Sequence, residues 1–201
     1  MPKVTQSYRN ARRRQIMDAA IICFSREGFH RATMQDVVKQ SKLSPGAIYN
    51  YFKSKEEIIE AIAAERHDRE RVVLTLARNE GAVAPVLRQI RDTFFGELRN
   101  PKERLRRRVS IQLWAEAQRN PRILRLVRAG VDAPRKLLAA ILSDAQRRGE
   151  ISRKINPDAT ARFLIAAFHG LVLQFEWDNR VEMKPQVELL EAFLASISSS
   201  S

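Results

Sequence analysis

A chain of 201 residues, 44% of them hydrophobic, can bury one or two packed cores, and a formal net charge of +13 points to an anionic partner. The single cysteine, Cys23, allows no intramolecular disulfide and no thiolate metal cluster, which fits a reducing cytoplasm. The basic, polar start MPKVTQSYRNARRR lacks the apolar centre of a secretory signal, and no apolar run approaches the roughly 20 residues that cross a bilayer, so a soluble cytoplasmic protein with no membrane partner is expected.

Scarce glycine and the absence of β-branched runs bounded by turn residues predict an all-α fold of about nine helices. The first should run from about Ala11 to Glu27, with Ile16, Ala19, Ala20, Cys23 and Phe24 as its apolar stripe and Gly28 at a left-handed C′ position. Arg12, Arg13 and Arg14 stand at its start, where cations are unfavourable. Either they form a solvated arm or they meet backbone phosphate.

Thr33 to Lys55, reading TMQDVVKQSKLSPGAIYNYFKSK, holds two short amphipathic segments around a tight polar turn. Thr33 with Asp36 three positions on opens the first, and Ser44 with Pro45 at the first helical position opens the second. Met34, Val37, Val38, Leu43, Ile48 and Phe52 can share one small core, which turns Ser44, Gly46, Ala47, Tyr49, Asn50 and Tyr51 outwards. Small or flat side chains with hydrogen-bonding ends let a helix lie against DNA. The pattern reads as a helix-turn-helix whose second helix enters the major groove of a double-stranded operator. Thr33, Lys42, Tyr49, Tyr51 and Lys55 are assigned to phosphates, and Ser44, Pro45, Gly46, Ala47 and Asn50 to base edges or thymine methyls. For Tyr49 and Tyr51 the competing reading is a half-buried packing residue.

Ser54 with Glu56 and Glu57 should cap a helix through Ile58, Ile59 and Ile62 to about Arg78, followed by a break over Gly81 to Pro85. Asn-Pro pairs at Asn100, Asn120 and Asn156 each read as an N-cap with an N1 proline. Around them lie five further helical patterns, one from Ile123 to Ala145 with a kink expected at Pro134, one from Asp158 to Trp177 and one from Pro185 to Ile197. Charge is uneven: residues 1–60 hold 11 basic and 6 acidic side chains, residues 99–154 hold 16 and 5. The arginines of the second stretch, Arg104 to Arg128, read as solvated helix faces or as a flank that attracts a ligand's anionic head.

The helix after Asn156 is apolar almost all round, which requires more than one partner surface. Phe163, Leu171 and Phe175, with Leu190, Phe193 and Leu194 of the last helix, fit a four-helix interface between two copies. Plain monomer core is the alternative. Phe94, Phe95, Trp114, Phe168 and His169 are, on spacing alone, more readily core than cavity lining. Three scattered histidines, no Gly-rich phosphate loop and no metal-ligand cluster speak against an enzyme and call for no cofactor. A sequence-independent nucleic-acid binder is the rival that the charge favours.

The stretch Arg14 to Ala64, with GAIYNYFKSKEEI (Gly46 to Ile58) its most specific part, resembles the DNA-binding motif of TetR-type (TetR/AcrR) transcriptional regulators. One departure stands out: Lys42 occupies the turn position where the family usually has glycine. The resemblance implies a DNA-binding domain with a basic arm over 1–55 and an effector-binding and dimerisation domain over 56–198; the terminal serines read as a disordered tail over 199–201. It implies a homodimeric repressor released from a palindromic operator by a small, mainly apolar effector. It also turns the aromatic set into candidate pocket residues; if the arginines flank the mouth of that pocket, an acyl-coenzyme A, with apolar chain and anionic head, is one candidate ligand.

Overall fold

The computed structural model describes residues 5–78, 83–100, 103–178 and 180–198. Nine helices follow one another among them: α1 (Gln6–Glu27), α2 (Met34–Ser41), α3 (Pro45–Tyr49), α4 (Lys55–Arg78), α5 (Val83–Arg99), α6 (Arg104–Glu116), α7 (Pro121–Arg147), α8 (Pro157–Trp177) and α9 (Met183–Ile197). The all-α expectation holds. Among the described residues the β feature is an isolated bridge, Ile151 to Ser198, where the Ser152 N–H donates to the Ile197 carbonyl at 2.9 Å.

Local chemistry sets most helix starts. Thr33 accepts from the Asp36 N–H at 3.3 Å while Asp36 accepts from the Thr33 N–H at 2.9 Å, a complete capping box. Asn120 accepts from the Arg122 and Ile123 N–H groups, and Asn156 from that of Ala159. At the far end of α7, Gly149 (φ 77°) lets the Glu150 N–H reach back to the Ala145 carbonyl, closing a Schellman motif.

Several expected bounds move. α1 begins at Gln6 because Thr5, in extended backbone, accepts from the Tyr8 N–H at 3.3 Å. Gly28 has the positive φ of 84° but a ψ of 148°, outside the left-handed helical well. Pro85 and Pro185 sit inside the first turns of α5 and α9, where a missing N–H loses no helical bond. Of the expected break, residues 81 and 82 lie outside the described residues, as do Pro101 and the tail 199–201. α7 continues as one helix through Pro134.

Packing divides the chain into two compact units. The described residues up to Arg66 join Arg104–Arg128, and His67–Glu103 joins Ala129–Ser201. Both α4 and α7 pass from one unit to the other, so the packing units do not follow the expected division into 1–55 and 56–198. In the first unit Ile16, Phe24, Val37, Ile48, Ile58, Ile59 and Ile123 are almost solvent-free, and Met34, Val38 and Leu43 pack against them as expected. Each fully buried side chain of this size contributes about 1.5–3 kcal/mol. The second unit has its own core around Leu87, Leu138, Ile141, Leu142 and Ala161. No helix among the described residues is long and apolar enough to cross a membrane.

Candidate nucleic-acid interface

α3 is short, and its ends are fixed locally. Ser44 accepts from the Ala47 N–H at 3.2 Å and Pro45 stands at N1. Ile48 points into the core with no exposure, which holds the opposite face outwards. There Ser44, Pro45, Gly46, Asn50 and Tyr49 (42% exposed) face solvent, with Ala47 half-buried. Tyr51 packs against the core, as its competing reading has it. A Cβ on Gly46 would meet nothing within 4 Å. Glycine in a helix costs about 1 kcal/mol relative to alanine, and no neighbouring atom would block a side chain at this position.

The turn before α3 passes through Lys42 in the left-handed conformation (φ 58°, ψ 27°), which costs an L-residue about 1–2 kcal/mol. It is held by two contacts: from α1 the Gln15 amide donates to the Ser41 carbonyl at 2.9 Å, and within the turn the Leu43 N–H donates to the Ser41 hydroxyl at 3.3 Å. The Lys42 side chain is left exposed beside α3.

Lys55 differs from its assignment to phosphate. Its ammonium donates to the carbonyls of Phe29, His30 and Ala32 at 2.8, 2.8 and 3.2 Å and lies 4.9 Å from the Phe29 ring centroid. With all three N–H donors so directed, it ties the α1–α2 connection to the start of α4. Thr33 is likewise engaged, its hydroxyl donating to Asp36 at 2.7 Å. That bond, with the Thr33 N–H, holds the Asp36 carboxyl below the usual carboxylate range.

Sequence reading did not single out Lys53 or Gln15 at this site. Lys53 is exposed and its ammonium reaches the Tyr49 carbonyl at 2.5 Å, at the C-terminal end of α3 where a cation is favoured. The Arg13 guanidinium lies 5.2 Å from the Phe52 ring centroid, which brings one of the three expected basic residues beside the motif. Arg12 bonds both the Tyr8 hydroxyl and Gln15.

The other predicted sets scatter. Trp114 belongs to the first unit, whereas Phe95, Phe168 and His169 belong to the second, with the last two rings 6.1 Å apart; the Phe94 side chain lies outside the described residues. Of the arginines, Arg122 makes a two-pronged pair with Glu60 and Arg106 pairs with Asp18. On α8 and α9, Phe163 is 59% exposed and its ring lies 5.6 Å from that of Phe193. Leu171, Phe175 and Leu190 are half-buried, and Leu194 packs on the second core. Trp177 and Leu189, on the same two helices, are 73% and 68% exposed.

Known proteins share this organisation. Residues 16–62 match the model for bacterial regulatory proteins of the tetR family, and residues 84–199 match that for the C-terminal part of BetI-type transcriptional repressors. The HTH-type transcriptional regulator UidR of Escherichia coli is 28% identical over 198 residues, 94% of each chain. Among solved structures, Salmonella enterica GusR is 28% identical with a TM-score of 0.69 over 85% of each chain. The SmeT–triclosan complex superposes with a TM-score of 0.81 at 22% identity, over 95% of this chain and 93% of that one. With a capped helix-turn-helix at one end and a repressor-type helical part at the other, the chain belongs to the tetR family of bacterial regulatory proteins, DNA-binding transcriptional regulators and not enzymes.

Proposed function

We propose that the chain acts as a homodimeric repressor, with residues 1–55 reading a palindromic operator and residues 56–198 binding a small, mainly apolar effector that releases it. The observation that supports the DNA reading is the outer face of α3, where Ser44, Pro45, Gly46, Tyr49 and Asn50 stand exposed and the space in front of Gly46 is open. Asn50, with a donor and an acceptor on one amide, reads a base edge; Ser44, Pro45, Gly46 and Ala47 lie close against neighbouring bases. Tyr49, Lys42 and Lys53 reach phosphates. Thr33, Tyr51 and Lys55 position the motif from behind.

Two copies are needed because one short helix reads too few base pairs, and the exposed Phe163, Trp177 and Leu189 supply an apolar surface for pairing. The triclosan in the SmeT complex is consistent with a small apolar effector. Internal pairing of Arg122 and Arg106 weakens the case for an acyl-coenzyme A. Titration with acyl-coenzyme A against neutral lipophiles decides between these ligands. The test of the whole reading is selection of binding sites from random DNA. Wild-type protein should return a near-palindrome, and Asn50→Ala should relax base preference at one position per half-site. Selection that returns no preferred site, or an Asn50→Ala variant with unaltered preference, overturns it.

A further inference from the structure

We infer that Gln15 is a positioning residue for DNA recognition, bracing the left-handed turn at Lys42 so that α3 is aimed without a glycine in the turn; this rests on α3 being the reading helix. Ser41 is the last residue of α2 and only 4% exposed, so its carbonyl, beyond the reach of the helix's own amides, needs a partner from elsewhere. The Gln15 amide of α1 is that partner, at 2.9 Å and 26 residues away in sequence. The amide is oriented in turn, because its oxygen accepts from Arg12 at 2.7 Å. Arg12 is itself steadied by Tyr8, with a hydrogen bond of 3.0 Å to the hydroxyl and its guanidinium 5.0 Å from the ring centroid. The early start of α1 thus has a purpose: the turn containing Tyr8 completes a chain of contacts that ends at the peptide preceding Lys42.

A glycine turn sits in the left-handed well by itself, whereas a lysine turn has an alternative to relax into. Breaking the brace therefore lets α3 tilt while the core beneath it, centred on Ile48, keeps the helix folded.

The experiment is a double-mutant cycle on the full chain with the selected operator. Gln15→Met removes both amide contacts. Gln15→Ala, which removes the side chain without adding a charge, is the second variant. Each should lower operator affinity about fivefold to tenfold, the equivalent of one hydrogen bond, with an unchanged salt slope because no phosphate contact is lost. In a Lys42→Gly background the same changes should alter affinity less than twofold. Equal losses in both backgrounds, a reduced salt slope or wild-type affinity overturns the inference. Asn50→Ala, run alongside, separates the two claims: if it loses base preference while the Gln15 variants bind normally, only the brace is refuted.

Discussion

Gly46 puts local stability and DNA contact in opposition. A methyl added there meets open space and removes backbone entropy from the unfolded chain, so Gly46→Ala should stabilise the protein by about 0.5–1 kcal/mol. On the proposed reading the same methyl would stand between α3 and the groove floor and should weaken operator binding by about 1–3 kcal/mol, the usual cost of spoiling the contacts of one base pair. Thermal melts and operator titrations on one preparation check both signs. Lys55 makes the contrasting case. Lys55→Met breaks three carbonyl bonds and should cost stability by about 2 kcal/mol, yet leave the salt slope of DNA binding as it was. A slope reduced by one charge would return Lys55 to the phosphates.

At the scale of helices, what the sequence made legible was local. The Thr33–Asp36 box, the Ser44–Pro45 start and the Asn120 and Asn156 caps are patterns within four residues, and each forms as read. The exposed face of α3 followed from the same short-range logic, since placing Ile48 inwards decides where Asn50 points. The ties that hold the motif were not legible. Gln15 to Ser41, Lys55 to Phe29 and Gln112 to Phe29 span 26, 26 and 83 residues, and no periodicity announces such a partner. Thr5 escaped notice for another reason: its helix opens in a polar stretch with no apolar stripe to mark it. Lys55 read as a DNA residue because its charge was visible and the carbonyls that occupy it were not. α4 and α7 are joined within the first unit by Glu60 and Arg122, and the Arg122 guanidinium holds the Glu60 carboxyl below the usual carboxylate range. A lowered folded-state value means the pair stabilises fully above the ordinary carboxylate range and is lost as pH falls through the folded-state value. Acid titration of stability should therefore be steeper in wild type than in Glu60→Gln. Parallel curves would remove the pair from the account.

For the molecule as a whole, two helices rather than one run through both units. Lys55–Arg66 of α4 and Pro121–Arg128 of α7 belong to the first unit, and the remainder of each helix to the second. Pairing through α8 and α9 is checked by Phe163→Asp, which should shift sedimentation towards the monomer and cost operator affinity with it. Retention of the dimer would move the interface elsewhere. Coupling must be mutual, so operator should weaken effector binding by the factor by which effector weakens operator binding. Cys23 leaves room for a direct test of the proposed release. It is the sole thiol in the sequence, it lies within the first core, and burial raises its pKa, so it resists alkylation. A Gln35→Cys variant, with its new sulfhydryl on the exposed side of α2, can carry a spin label without first stripping the native residue. On the proposed dimer, the label-to-label distance with and without effector tests whether release changes the spacing of the two α3 helices; an unchanged distance would count against it.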